Sequence, residues 1–325
     1  MKVLLGKAVV AVLLAMPCAA FAQAYPERPI SFVVPFAAGG ATDALARQFA
    51  ERMARNAKQP IIVENVAGAG GTVGAARVAK AKPDGYTYLI GHMGYMAAAT
   101  GLYKQLPYDP VQDFEPVARF PDTPMVLVCG RSGRFNNIGS MIEFARKNPG
   151  QVNMGNAGVG SAGHLVAALF ASALKADVTH VSYKGNAPAI TDVMSGRIDC
   201  MFDQSNTALP HVRAQKVLAL AITSRQRLPQ MPDVPTLHES GLSGFEAATW
   251  YGIYAPKGTP RAAIDRIHTQ FTEAMQDKAF TGRLVEEGYL LLDPKLTTGA
   301  ALGAHTKAEV ERWKKVIADA KIPVN

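Results

Sequence analysis

The sequence predicts an α/β protein made of two hinged αβ lobes with a cleft between them. Three observations carry this expectation. Apolar strand-like runs alternate with amphipathic helical segments throughout the chain after its first two dozen residues, the pattern of a doubly wound, mostly parallel sheet. The series is interrupted by a proline-punctuated connection, 106–117, and then starts again. A Gly-rich turn between a strand and a helix occurs in both series, at Ser31–Asp43 and at Asn156–His164.

The N-terminus comes first. Lys2 and Lys7 precede a short apolar run, Val9–Met16, and Ala20-Phe21-Ala22 forms a small-residue cleavage site. Residues 1–22 therefore read as a secretory signal peptide cut before Gln23, which places the mature protein in the periplasm. Cys18 follows Pro17, which is not a lipobox. No later run has the apolar length of a membrane span. The chain has 325 residues and is 48% hydrophobic, enough for one large or two medium domains.

Without Lys2 and Lys7 there remain 32 basic and 26 acidic residues, a net charge of +6 spread along the chain. There is no basic stripe with interleaved aromatics, so nucleic acid is not an expected partner. A general attraction for anions is what the charge supports. Cys129 and Cys200 each sit in an apolar run. Export permits a disulfide, but the reading favours two buried free thiols. No Cys/His spacing suits zinc.

The first series runs strand Ile30–Phe36, helix Ala41–Ala57, strand Pro60–Glu64, helix Thr72–Lys80 and strand Tyr86–Gly91. Leu45, Phe49 and Met53 recur four apart, one face of a helix. The fully apolar Met125–Cys129 reads as a central strand. After it come helix Ile138–Asn148, strand Val152–Gly155, helix Ala162–Leu174, strand Val178–Tyr183, helix Ala187–Ser195, strand Ile198–Phe202, helix Thr207–Ala214 and strand Val217–Thr223. Ser224–Gly244 carries three prolines and two glycines and reads as a functional or interdomain loop. Thr249–Ala255 is a strand, Pro260 starts helix Arg261–Gln276, and helices Lys278–Glu287 and Gly299–Ala320 close the chain. The expected division is 1–22 signal peptide, 23–123 with 250–325 as lobe I, and 124–249 as lobe II. The hinge crossings fall near Asp122–Met125 and Ala248–Tyr251.

Both Gly-rich turns lead into a helix N-terminus, whose unpaired N–H groups and partial positive charge favour anions. Each is equally compatible with an ordinary strand–helix junction, in which Ser161 simply caps its own helix. Taken together, they suggest two jaws for one carboxylate. Val159-Gly160-Ser161-Ala162-Gly163 lacks the first glycine of a G-x-S-x-G elbow, which argues against a nucleophilic Ser161 paired with His164. Gly68–Gly74 fails the dinucleotide fingerprint because Val73 stands where glycine is required, leaving a close-approach turn. Gly91–Met96 and Asp203 fall at strand carboxyl ends, which face the crevice in open α/β sheets. His92, Met93 and Tyr95 then either line the cleft or are buried against a helix. Asp203 either meets a ligand donor or caps the following helix. Lys184 is an anion contact or simply an exposed lysine.

Several long stretches resemble the Bug family, the TctC-type extracytoplasmic solute receptors of tripartite tricarboxylate transporters. They are YPERPISFVVPFAAGGATD (25–43), VENVAGAGGTVGA (63–75), KPDGYTYLIG (82–91), YDPVQDFEPVA (108–118), MGNAGVGSAGHL (154–165), VSYKGNAPAITDVMSGRID (181–199) and MPDVPTLHESGLSGFEAATWYGIYAPKGTP (231–260). The resemblance implies a type II-like periplasmic-binding-protein fold that closes on a small carboxylate, partly through backbone N–H groups and bridging waters. Carried over by motif, it points to Phe36, Ala37, Gly39, Gly40, Thr42 and Asp43 in one lobe, and to Asn156, Ser161, Ala162 and His164 in the other. Gly91, His92, Met93, Tyr95 and Asp203 would meet the variable part of the ligand. The bulky His92, Met93 and Tyr95 depart from the family's habit of small residues there and favour an aromatic or shorter carboxylate over a tricarboxylate. No cofactor, metal or catalytic group is implied. The expected protein is a monomer that serves membrane transporter subunits or, alternatively, a sensor kinase.

Overall fold

The computed structural model describes residues 25–319 except Asn56 and Lys58, together with Ile322 and Val324. The expected signal peptide, with Cys18, lies outside the described residues. Two sheets organise the chain. The first contains β1 (Ile30–Val34), β2 (Ile61–Asn65), β3 (Thr87–His92), β4 (Phe114–Arg119) and β11 (Tyr251–Pro256), in the order β2-β1-β3-β11-β4. The second contains β5 (Thr123–Gly130), β6 (Asn153–Asn156), β7 (Thr179–Ser182), β8 (Cys200–Gln204), β9 (Val217–Ile222) and β10 (Ala248–Thr249). Its order is β10-β5-β8-β6-β7, and β9 pairs with β5 farther along the same strand.

Ten α-helices accompany the strands among the described residues. They are α1 (Ala41–Ala54), α2 (Thr72–Ala79), α3 (Ala99–Leu102), α4 (Ile138–Lys147), α5 (Ala162–Leu174), α6 (Asn186–Met194), α7 (Ser205–Arg213), α8 (Arg261–Gln276), α9 (Lys278–Glu286) and α10 (Gly299–Asp319). The four-residue spacing in α1 behaves as its periodicity requires: Leu45, Phe49 and Met53 are all buried. Phe49 packs edge-on to Phe120 and Phe280, with ring centroids 4.6 and 5.0 Å away, and stacks on Phe271 at 5.4 Å. Each such pair adds about 0.5–1.5 kcal/mol to simple area burial. The cluster thereby fixes the helices behind the first sheet.

The sheets are mixed, not uniformly parallel as the alternation suggested. β1 pairs parallel with β2 and β3, and β6 pairs parallel with β7 and β8. β5 and β11, the strands that follow the two passages between sheets, run antiparallel to their partners. The chain passes from the first sheet to the second through 120–122 and returns at Trp250, between β10 and β11.

One other expectation changes. Cys129 and Cys200 are opposite one another on β5 and β8 and form a disulfide, with a Cα–Cα distance of 4.0 Å. The sequence alone favours free thiols because spacing in sequence does not reveal strand register. The 224–244 segment, expected to be a functional or interdomain loop, packs on the second sheet and also reaches the first lobe, where Gln230 Nε2 donates to the Val285 carbonyl. Ile222 N–H donates to the Pro235 carbonyl, Leu237 N–H donates to the Ile222 carbonyl, and Leu228, Met231, Leu237 and Leu242 are buried, so the segment covers β9. Among the described residues no helix is long and apolar enough to cross a membrane.

Candidate functional site

The first jaw follows β1. Gly39 adopts φ +83°, a left-handed conformation that strains other residues, and Gly40 precedes α1 without a side-chain cap. Asp43, in the first turn of α1, holds this bend together. Its Oδ2 accepts the Gly39 N–H and the Arg47 Nε–H, both at 2.9 Å, and its Oδ1 accepts from Asn65 Nδ2 at 2.9 Å. Asn65 Nδ2 also donates to the Phe36 carbonyl. Burial pushes the Asp43 carboxyl up, but the bonds from Arg47, Gly39 and Asn65 more than offset this and hold it below its ordinary value. Asp43 therefore faces its own turn. Ala37 and Gly39 are exposed, whereas Thr42 is buried.

The second jaw follows β6. Asn156 is fully buried; its Oδ1 accepts from Gly158 N–H and Ser182 Oγ, both at 3.0 Å. Its Nδ2 is buried with no hydrogen-bond partner among the described residues. Ser161 caps α5, its Oγ accepting the His164 N–H at 3.4 Å. The His164 ring accepts the Gly160 N–H through Nδ1 and lies 4.9 Å from the ring of His180. Burial, then the charge of His180, lowers His164 to about 4. Hydroxyl and imidazole thus engage the backbone, an arrangement that does not activate Ser161. His164 lines a hollow of about 420 Å³ between α5, β7 and the end of α10. Ala162 is buried beside it.

The second jaw meets the first lobe at Gly94, in the single π-helical turn Gly94–Ala98 that follows β3. A Cβ on Gly94 would lie 2.4 Å from the Gly160 carbonyl oxygen, and one on Gly70 would lie 2.9 Å from that of Val159. Hydrophobic burial runs continuously from Leu89 and Tyr95 on one side to Leu127 and Phe202 on the other. The lobes are therefore in contact at this mouth.

Gly91, His92, Met93 and Tyr95 are all buried. His92 Nδ1 accepts the Gly94 N–H at 2.9 Å, and its ring packs 5.4 Å from Phe36, 5.6 Å from Tyr95 and 5.3 Å from Tyr251. Burial lowers it to about 3, so it is neutral. Tyr95 donates to the Ile90 carbonyl. Asp203 is buried on β8, and its Oδ1 accepts from Gln204 N–H, Thr207 Oγ and Asn186 Nδ2. Burial raises it to about 6, against the opposing pull of these bonds. It ties β8 to the starts of α6 and α7, while Gln204 holds the cap position of α7. Lys184 is exposed.

Sequence reasoning missed two residues at this junction. The Tyr251 hydroxyl, on β11, donates to Gln204 Oε1 on β8 and also bonds Thr42 at the start of α1. Tyr251 therefore links both sheets to the first jaw. The only available signal was its position beside the expected hinge.

Two αβ lobes in contact through Gly94 and Gly160 give the chain the two-lobed fold of periplasmic binding proteins. The chain matches the model of the tripartite tricarboxylate transporter family receptor over residues 45–322, and it belongs to that family. Among solved structures it resembles the periplasmic binding protein BugD, with 38% identity and a TM-score of 0.86, covering 93% of this chain and 100% of that one. It resembles Rpa4515 of R. palustris, solved with adipate, at 33% identity and a TM-score of 0.87, with the same coverage. MatC of Rhodopseudomonas palustris, solved with bound malate, is 36% identical with a TM-score of 0.85, covering 90% of this chain and all of that one.

Proposed function

We propose that this protein is exported to the periplasm and captures a small dicarboxylate between the turns 36–43 and 156–164, delivering it to a tripartite tricarboxylate transporter. In this reading residues 23–123 and 250–325 form one lobe and 124–249 the other. The observation that carries it is the buried Asn156 Nδ2. An unsatisfied buried donor costs about 1–3 kcal/mol, and a carboxylate oxygen supplies the acceptor. The neighbouring N-terminus of α5 adds a favourable field for the same charge, on the order of 1–2 kcal/mol. The malate and adipate found with two relatives have the same chemistry. Phe36, His92, Tyr95 and Tyr251 pack together as an aromatic cluster behind the turn 36–43, a neighbourhood that suits a short carbon chain better than a third carboxylate. Several such contacts reach micromolar affinity, about 8 kcal/mol.

The test is a thermal-shift and calorimetric screen of C4–C6 dicarboxylates, with tricarboxylates and sugars as controls. At least one dicarboxylate should raise the melting temperature, and Asn156→Ala should weaken its binding by about tenfold. Failure of every dicarboxylate, or unchanged affinity in Asn156→Ala, overturns the reading.

A further inference from the structure

We infer that Glu309, on α10, is a positioning residue for lobe closure, holding the returning hinge strand through the indole of Trp250. Trp250 is the single residue between β10 of the second sheet and β11 of the first. Its carbonyl accepts the Met93 N–H at 3.2 Å, which ties it to the turn at the mouth of the cleft. Its Nε1–H donates to Glu309 Oε2 at 3.0 Å, and the same oxygen accepts Trp313 Nε1–H at 3.0 Å. These are the two tryptophans of the chain, and both are buried.

The other carboxylate oxygen continues the connection. Glu309 Oε1 accepts from Arg312 at 3.0 Å, and Arg312 reaches the carbonyl of Glu246 at 3.3 Å, on the approach to β10. His305, one turn earlier on α10, packs edge-on against Trp250 at 5.0 Å. Burial pushes the Glu309 carboxyl up, but the charge and hydrogen bond of Arg312, the charge of His305 and the Trp250 N–H hold it below its ordinary value. It is therefore a charged acceptor, which makes stronger hydrogen bonds than a neutral one. Asp122, on the other crossing, is raised mainly by burial, with the Glu309 and Glu246 charges adding to it against Arg119. The two crossings thus share one electrostatic neighbourhood.

This arrangement bears on closure because hinge motion is absorbed by a few residues at the crossings. Helix α10 packs on β4 and on the turn that contains Gly94. With its indole held by α10, Trp250 moves with the first lobe, and rotation is confined to the residues before it. Releasing the indole adds a second pivot and loosens the alignment of the jaws.

The inference rests on the receptor reading, so its test includes a readout that needs no ligand. Spin labels at I62C and K184C, both exposed positions on opposite lobes, report interlobe distance in the ligand-free chain and with malate. E309Q and W250F should each broaden the ligand-free distribution. They should also raise the malate dissociation rate by about tenfold with association little changed, since affinity differences within one interface fall mostly on dissociation. The double variant should have less than the summed effect of the single variants, because the two changes share the Glu309–Trp250 contact. Unchanged distributions in both variants, or a lowered melting temperature with no change in distance, overturn the inference. If malate and the other dicarboxylates fail to bind the parent protein, the receptor reading falls, and the ligand-free distances still decide the hinge.

Discussion

Gly94→Ala is the sharpest perturbation of the closed mouth. The added Cβ lies 2.4 Å from the Gly160 carbonyl oxygen, and ordinary contact begins near 3.4 Å. The backbone oxygen cannot swing aside, so the lobes must part by about 1 Å at this point. The nearest atom within its own lobe, His92 Nδ1 at 3.0 Å, is a milder contact. Overpacking of this kind costs about 1–3 kcal/mol, and here most of the cost falls on the closed state. A ligand that binds the closed state should therefore lose about 5- to 150-fold in affinity. Calorimetry with the best dicarboxylate measures this, and small-angle scattering should show a more open average shape. The ligand-free melting temperature should change little, because each lobe keeps its own packing. An affinity within twofold of the parent, with unchanged scattering, would refute the closure argument.

Asp43→Ala removes three bonds from the first jaw. Discounting the pair to the half-exposed Arg47 to about 0.5 kcal/mol, and allowing about 1.5 kcal/mol each for Gly39 and Asn65, stability should fall by about 3.5 kcal/mol, lowering the melting temperature by roughly 7–14 °C. Because the folded Asp43 carboxyl is held below its usual 3.8, its contribution is present above that pH and is lost as the pH falls through the folded value. Asp203 has the opposite sign. Its folded value of about 6 lies above 3.8, so its contribution is fully present below pH 4 and is lost as the pH rises towards 6; Asp203→Asn should flatten that part of the stability profile, read by urea titration. Reducing the Cys129–Cys200 disulfide, which spans 71 residues, should cost about 2–4 kcal/mol, visible as a lower midpoint in denaturant with reductant.

Much of the framework was legible because local signals agreed with the final fold. Helices α5 and α8 fall where Ser161 and Pro260 mark their starts. The prolines of 106–117 suggest a surface connection, yet Phe114–Arg119 forms β4, the edge strand of its sheet, where Pro116 is tolerated. The disulfide and the Tyr251–Gln204–Thr42 link were not legible, because both depend on residues distant in sequence meeting across strands. Asp43 and His164 lie in the two Gly-rich turns that the sequence marks, but the direction each faces, toward its own turn and toward His180, depends on partners such as Asn65 and β7 that no local pattern announces.

The most direct measurement is a crystal structure of the mature protein with the dicarboxylate that stabilises it most. The account predicts a carboxylate oxygen within about 3 Å of Asn156 Nδ2, at the start of α5, with the turn 36–43 closing over the other end. A ligand bound elsewhere, or a closed cleft in which Asn156 Nδ2 meets only protein, would contradict it.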